Sequence, residues 1–261
     1  MSHEPAKHLS ATSGDRRRPS VSETLAGVAT RIADVARLLI SRRQRLNIQI
    51  DTPAGPRSGT FYFPRARRAR LGPGILILHT AFGRTFHEDA TALRLANAGY
   101  ITLVVSYTTR TTSAVLQDPA RRATLEDTVW RARDRLAAEA GVDAGRLGVI
   151  GFSLGGHFAL ALALAGRVQA AVVYYGVYRW PDTAAQQLRV PVLIHQGDRD
   201  DSAFRANATA FAAAASDKRC ELVTYGGAGH QFDFLQPRNI VTREAWNRTV
   251  AFFANALVEQ R

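Results

Sequence analysis

The chain has 261 residues, 46% of them hydrophobic, and a single cysteine, Cys220. That length suits one large α/β domain or two small ones, and one cysteine excludes an internal disulfide and the multi-cysteine zinc classes. The formal net charge of +12 is uneven, with 14 Lys or Arg against 5 Asp or Glu in residues 1–70 and 20 against 17 in residues 71–261, so the excess belongs to the leading arm and the main body is not marked as a nucleic-acid binder.

Residues 1–20 are rich in Ser, Pro, His and Arg and are expected to form a disordered basic arm, because they cannot bury enough surface to offset ordering. No apolar core of a secretory signal follows their basic residues, and no apolar run in the chain reaches the roughly 18 residues needed to span a bilayer. A cytoplasmic location is the default expectation. Over 21–45 the pattern turns helical: Leu25, Val28, Ile32, Val35, Leu38 and Leu39 recur at three- and four-residue steps behind a capping Ser22. This amphipathic extension reads as a helix docked on the domain. The basic run Arg42, Arg43 and Arg45 behind it leaves a membrane-surface or partner helix as the alternative.

The rest, 46–261, reads as one domain. LNIQI (46–50) and TFYF (60–63) flank a Pro/Gly turn and predict a hairpin, with basic residues 65–70 as its solvated exit. GILILH (74–79) is a continuous apolar run, as in a strand buried on both faces. A helix is expected over 87–98, ending at Gly99, then a strand over 100–107 and a helix over 120–140. LGVIGF (147–152) is a strand, followed by a helix over 154–165 closed by Gly166. Strands over 170–176, 190–197 and 220–226 and helices over 203–215 and 243–257 complete the chain. Strands alternating with helices predict a mostly parallel sheet of about eight strands with helices on both faces, its first pair antiparallel. Residues 177–189 are the only room for an insertion, so any cap is minimal.

The sharpest local signal is Gly151-Phe152-Ser153-Leu154-Gly155-Gly156, between a predicted buried strand and a predicted helix. A serine there sits on a tight, strained turn with its hydroxyl above the sheet. Small flanking residues are required, because Cβ atoms would strike the neighbouring elements. The amide of Leu154, at a helix N-terminus, points where an oxyanion would develop. The bland alternative is a glycine-rich turn that only packs helix on sheet.

A serine nucleophile needs a base, and the base an orienting acid, in the chain order Ser, acid, His. His230 follows the strand over 220–226 in a Gly-Gly-Ala-Gly-His loop and is the only histidine downstream of the acid loop. The acid loop follows the strand over 190–197 and holds Asp198, Asp200 and Asp201. Asp198 suits the turn and Asp201 a helix cap, which leaves Asp200 to orient the histidine.

With those residues in view, the sequence over roughly 46–258 resembles the dienelactone hydrolase family of α/β-hydrolases. The matching stretches are LILHTAFGRTFHEDATALRLANAGYITLVVSY (76–107), GVIGFSLGG (148–156), HQGDRDD (195–201) and GAGHQFDF (227–234). The resemblance implies the α/β-hydrolase fold, Asp200 as the acid, His230 as the base and Ala81 as the second oxyanion amide. Members proper carry cysteine where this chain has Ser153; serine versions occur among broader relatives, including carboxylesterases. Members also hold a substrate carboxylate with two arginines. Arg110 matches one, and Phe234 stands at the other. The resemblance therefore implies a small carboxylic ester or lactone as substrate rather than a cyclic dienelactone acid. It leaves Arg110 between an anion-binding role and that of a solvated loop arginine. No metal or organic cofactor is implied, since the chain has no HExxH, phosphate loop or dinucleotide fingerprint. No nucleic-acid partner is expected, and the sequence is silent on oligomeric state. The alternatives are a peptidase or acyltransferase on the same triad, and a non-catalytic binding protein of the same fold that uses its basic arm.

Overall fold

The computed structural model of the protein describes residues 44–65, 71–181, 183–215 and 219–258. The arm expected over 1–20, nearly all of the extension expected over 21–45 and most of the exit loop 65–70 lie outside the described residues.

Eight strands form one sheet. β1 (Arg45–Ile50) and β2 (Arg57–Tyr62) are the expected antiparallel hairpin. β2 also runs antiparallel to β4 (Ile101–Val105). β3 (Gly72–Leu78), β5 (Val142–Phe152), β6 (Ala170–Tyr174), β7 (Val192–Gly197) and β8 (Cys220–Tyr225) continue the sheet in parallel from β4, in the spatial order β1-β2-β4-β3-β5-β6-β7-β8. This is the α/β-hydrolase architecture expected from the sequence.

Period-two alternation divides the core into two layers. Leu76, Leu78, Leu147, Val149, Ala171, Val173 and Ile194 face α2 (Pro119–Ala137), α3 (Leu154–Leu164) and α4 (Ser202–Ala214). Ile75, Ile77, Ile150, Phe152, Val172 and Leu193 face α1 (Phe86–Asn97) and α6 (Ile240–Leu257). That two-sided burial explains the continuous apolar runs in the sequence, each fully buried aliphatic side chain contributing about 1.5–3 kcal/mol. Local signals set the helix starts. Thr85 and Glu88 form a capping box on α1. Asp118 accepts from the amides of Ala120 and Arg121 ahead of Pro119 on α2.

Boundaries differ from expectation where the backbone turns for other reasons. The strand expected over 170–176 stops at Tyr174, because Tyr175 has φ 42° and leaves the pleat. β5 begins at Val142 rather than 147, extended past a register shift opposite Gly72 and Gly74. α6 starts at Ile240 because Asn239 accepts from the Val241 amide at 2.9 Å. Between β6 and β7 the described residues contain one short 3-10 turn, Ala185–Gln187, so the cap is minimal. Among the described residues no helix is long and apolar enough to cross a membrane.

Because β3 and β5 to β8 are parallel, their C-terminal ends share one edge of the sheet. The loops carrying Ala81, Ser153, Asp200 and His230 all leave from that edge, where open α/β sheets place their ligands.

Candidate active site

Ser153 joins β5 to α3 with φ 50° and ψ −114°. A non-glycine residue there stores strain of about 1–3 kcal/mol, which the surroundings must hold in place. The turn is held by close backbone approach. A Cβ on Gly151 would lie 2.1 Å from the Gly155 carbonyl oxygen, and one on Gly155 would lie 2.4 Å from the Leu78 carbonyl oxygen. No side chain fits at either position. The Ser153 amide donates to the Tyr174 carbonyl at 3.0 Å, which fixes the turn against β6.

His230 Nε2 lies 3.0 Å from Ser153 Oγ. His230 Nδ1 lies 3.0 and 2.9 Å from the two carboxylate oxygens of Asp200. An ionised carboxylate only accepts, so the imidazole proton sits on Nδ1 and Nε2 accepts from the serine hydroxyl. Asp200 is 6% exposed. Burial pushes its carboxyl up, and hydrogen bonds from His230, Gln196 and the Asp201 amide outweigh that, so it stays below the usual carboxylate range. The Gln196 amide donates to Oδ2 at 2.8 Å.

The other two aspartates of that loop have different partners. Asp201 accepts from the Ala203 amide at 2.8 Å and caps α4. Asp198 reaches across to the histidine loop and accepts from the Gly227 amide at 2.7 Å, while the Arg199 amide donates to the Ala228 carbonyl at 2.9 Å. The loops carrying Asp200 and His230 are thus laced together at two points.

Leu154 opens α3, so its amide has no acceptor one helical turn back. Ala81 lies in the turn after β3 closed by the Gly83 amide donating to the Thr80 carbonyl at 3.2 Å. The Leu78 carbonyl packed against Gly155 brings that turn beside the start of α3. Arg110 is exposed, its guanidinium 5.6 Å from the centre of the Phe82 ring, on the loop held to the Ala81 turn by the Thr111 amide donating to the Ala81 carbonyl at 2.8 Å.

Several aromatic residues that the sequence reading passed over surround the imidazole. Phe204, in the first turn of α4, stacks on His230 with ring centres 5.0 Å apart. Tyr175 lies on it at 4.9 Å. Tyr178 lies beside Ser153; burial raises its phenol and the neighbouring serine opposes the rise. Tyr178 also lines a cleft of about 490 Å3 together with Leu116, Arg122, His157, Arg179 and Trp180. The signal available for them was position, since each follows the C-terminal end of a parallel strand.

The remaining described histidines have other environments. Burial lowers His79 to about 4, His157 to about 4 and His195 to about 3, so all three are neutral near pH 7. His195 Nδ1 bonds the Tyr225 hydroxyl at 2.8 Å and His79 Nδ1 donates to the Thr80 carbonyl at 2.6 Å. His87 is paired with Asp233. Among the described residues, no group of three or more His, Cys, Asp or Glu is placed to hold a metal ion.

Comparison with known proteins gives a consistent result. The model of the dienelactone hydrolase family matches residues 60–257. A protein of Rhodococcus opacus named carboxymethylenebutenolidase is 30% identical over 210 residues, covering 71% of this chain and 82% of that protein. One of Bradyrhizobium sp. named "Probable 2-oxo-3-(5-oxofuran-2-ylidene)propanoate lactonase" is 28% identical over 208 residues, 69% of this chain and 82% of that protein. In fold, the chain matches the thermostable carboxylesterase EstE1, from a metagenomic library, with TM-score 0.68 and 20% identity, covering 92% of this chain and 99% of that one. It matches the esterase of Pyrobaculum calidifontis with TM-score 0.66 and 20% identity, covering 89% and 94%.

Proposed function

From the premise that the chain belongs to the dienelactone hydrolase family and is a carboxylic ester hydrolase, we propose that it cleaves a small ester or lactone through an acyl-enzyme on Ser153. One observation carries this reading: the unbroken series from Ser153 Oγ to His230 Nε2 at 3.0 Å and from Nδ1 to Asp200 at 2.9 Å.

In this reading Ser153 attacks the carbonyl carbon as His230 takes its proton. Asp200 holds the imidazole in the required tautomer and stabilises the imidazolium that forms. The amides of Leu154 and Ala81 receive the oxyanion, each such donor typically worth about 3 kcal/mol. His230 passes its proton to the leaving alkoxide. A water activated by His230 then releases the acid and frees the serine. The names of the two curated relatives favour a lactone among the possible esters. Arg110 is kept as the candidate for an anionic substituent on the family resemblance; its exposure limits that contribution to about 0–1 kcal/mol.

The test is turnover of p-nitrophenyl acetate, with fluorophosphonate labelling and mass mapping of the modified residue. Label on Ser153 and loss of turnover in a folded Ser153→Ala variant support the reading. Undiminished turnover in that variant removes Ser153 from the mechanism. Labelling alongside a panel of esters and lactones ranks the substrate.

A further inference from the structure

Three residues other than glycine have positive φ among the described residues: Ser153, Tyr175 and Gln231. The first belongs to the nucleophile turn. The other two flank a buried ion pair that the proposed reaction does not use. His87, on α1, places Nε2 3.0 Å from Oδ2 of Asp233, which lies in the one-turn helix α5 (Phe232–Leu235). The Tyr175 hydroxyl donates to the other carboxylate oxygen, Oδ1, at 2.5 Å. The ring of the same tyrosine rests on the His230 imidazole, their centres 4.9 Å apart.

Asp233 is 7% exposed. Burial pushes its carboxyl up, but His87 and the Tyr175 hydroxyl outweigh burial and hold it below the ordinary range. Burial pushes His87 down, and Asp233 outweighs that, so its imidazole lies above its ordinary value. On α1, Glu88 adds to this rise and Arg94 opposes it. The groups facing the pair from β6, Tyr174 and Tyr175, are kept neutral by burial. On β7, burial keeps His195 neutral. Both shifts favour the charged forms, so each member would be an uncompensated buried charge without the other.

Asp233 follows His230 by three residues, and the left-handed Gln231 (φ 59°) turns the chain between them. The upstream side of the histidine loop is tied to the acid loop through Asp198 to Gly227 and Arg199 to Ala228. Its downstream side is tied through Asp233 to α1 and to the end of β6. Asp200 controls the tautomer and the rotation of the ring. It does not control the backbone that carries the ring.

We infer that His87, Asp233 and Tyr175 are positioning residues that set His230 in line with Ser153. This rests on the reading of Ser153 and His230 as nucleophile and base. A cavity of about 90 Å3 lined by His87, Asp233, Phe152, Tyr174 and Phe234 lies beside the pair. It gives the histidine loop room to shift when the pair is broken, so loosening rather than collapse follows.

The experiment is steady-state kinetics on p-nitrophenyl acetate for Asp233→Asn, His87→Gln, their double variant and Tyr175→Phe, beside Ser153→Ala and wild type. Thermal unfolding of each serves as the control for folding. Each single change at the pair is expected to lower kcat about 10- to 100-fold, the loss that a 1 Å misplacement can cause, with KM changed less than about twofold. The double variant is expected to recover part of the loss, because Gln and Asn can share a neutral hydrogen bond where the ions met. A purely structural role would give no such recovery and no split between kcat and KM. Should the pair variants unfold, Tyr175→Phe decides: it deletes one hydroxyl, leaves the ring on His230, and is expected to lower kcat alone. Wild-type kcat in Asp233→Asn, or in a folded Tyr175→Phe if the former is unfolded, overturns the inference. So does a double variant no better than the poorer single one. A Ser153→Ala variant that still turns over would instead overturn the reading beneath it.

Discussion

Gln196 and Asp200 are joined by a hydrogen bond of 2.8 Å from the penultimate residue of β7 into the loop that follows it. The donor sits on rigid strand and the acceptor carries the charge that orients His230. Losing one hydrogen bond to a charged group costs about 1.5–3 kcal/mol. Gln196→Leu is therefore expected to raise the Asp200 carboxyl from its lowered value and reduce kcat roughly tenfold. The acid limb of the pH–rate profile should move to higher pH, because Asp200 would protonate earlier on acidification. An unchanged limb would separate Gln196 from the site.

Asp200→Asn keeps the shape of the acid but lets the imidazole take the wrong tautomer. A loss in kcat of about four orders of magnitude is expected, as in serine triads generally, with little change in unfolding midpoint. Stopped-flow release of p-nitrophenol would measure it. A loss of less than tenfold would reassign the orienting acid.

Two glycines of β5 predict contrasting costs. A Cβ on Gly148 would meet the Phe253 ring at 2.8 Å, and a side chain can move. Gly148→Ala is expected to cost about 1–3 kcal/mol in urea unfolding, partly relieved by Phe253→Leu. A Cβ on Gly151 would meet Gly155 backbone at 2.1 Å. Gly151→Ala should cost more than about 3 kcal/mol or abolish expression, with no rescue from any side-chain change. Equal costs at the two positions would contradict this account of the turn.

The histidines should separate by NMR titration. His79 and His157 are expected to stay neutral down to about 4 and His195 to about 3, while His87 titrates above its ordinary 6.5. The stability consequences follow from the signs. His87 is raised on folding, so its contribution is complete below pH 6.5 and is lost as pH rises through the raised value. Asp233 is lowered from 3.8, so its contribution is complete above that pH and is lost as pH falls through the lowered value. Wild type should exceed the His87→Gln/Asp233→Asn variant most in urea unfolding between those limits, with the difference shrinking on either side.

The sequence by itself determined the alternation of strands and helices, the two-sided burial of the central strands and the serine turn. Each of these is written in local chemistry: runs of Ile, Val and Leu, capping residues, and glycines where no Cβ fits. It also separated the three aspartates of one loop by their possible local roles, and the cap given to Asp201 matches its bond to Ala203. The partner of Asp198 was not legible, because it lies 29 residues further on at Gly227. Nor was the grip on His230. His87, Tyr175 and Asp233 are far apart in the chain, and each alone reads as an ordinary core or surface residue. Only the tertiary fold, which brings α1, the end of β6 and the histidine loop together at one edge of the sheet, sets His87 3.0 Å from Asp233 with the Tyr175 hydroxyl on the same carboxylate. Element ends were decided the same way: β6 stops at Tyr174 because the tertiary site holds Tyr175 out of the pleat, against a β propensity that would have continued the strand.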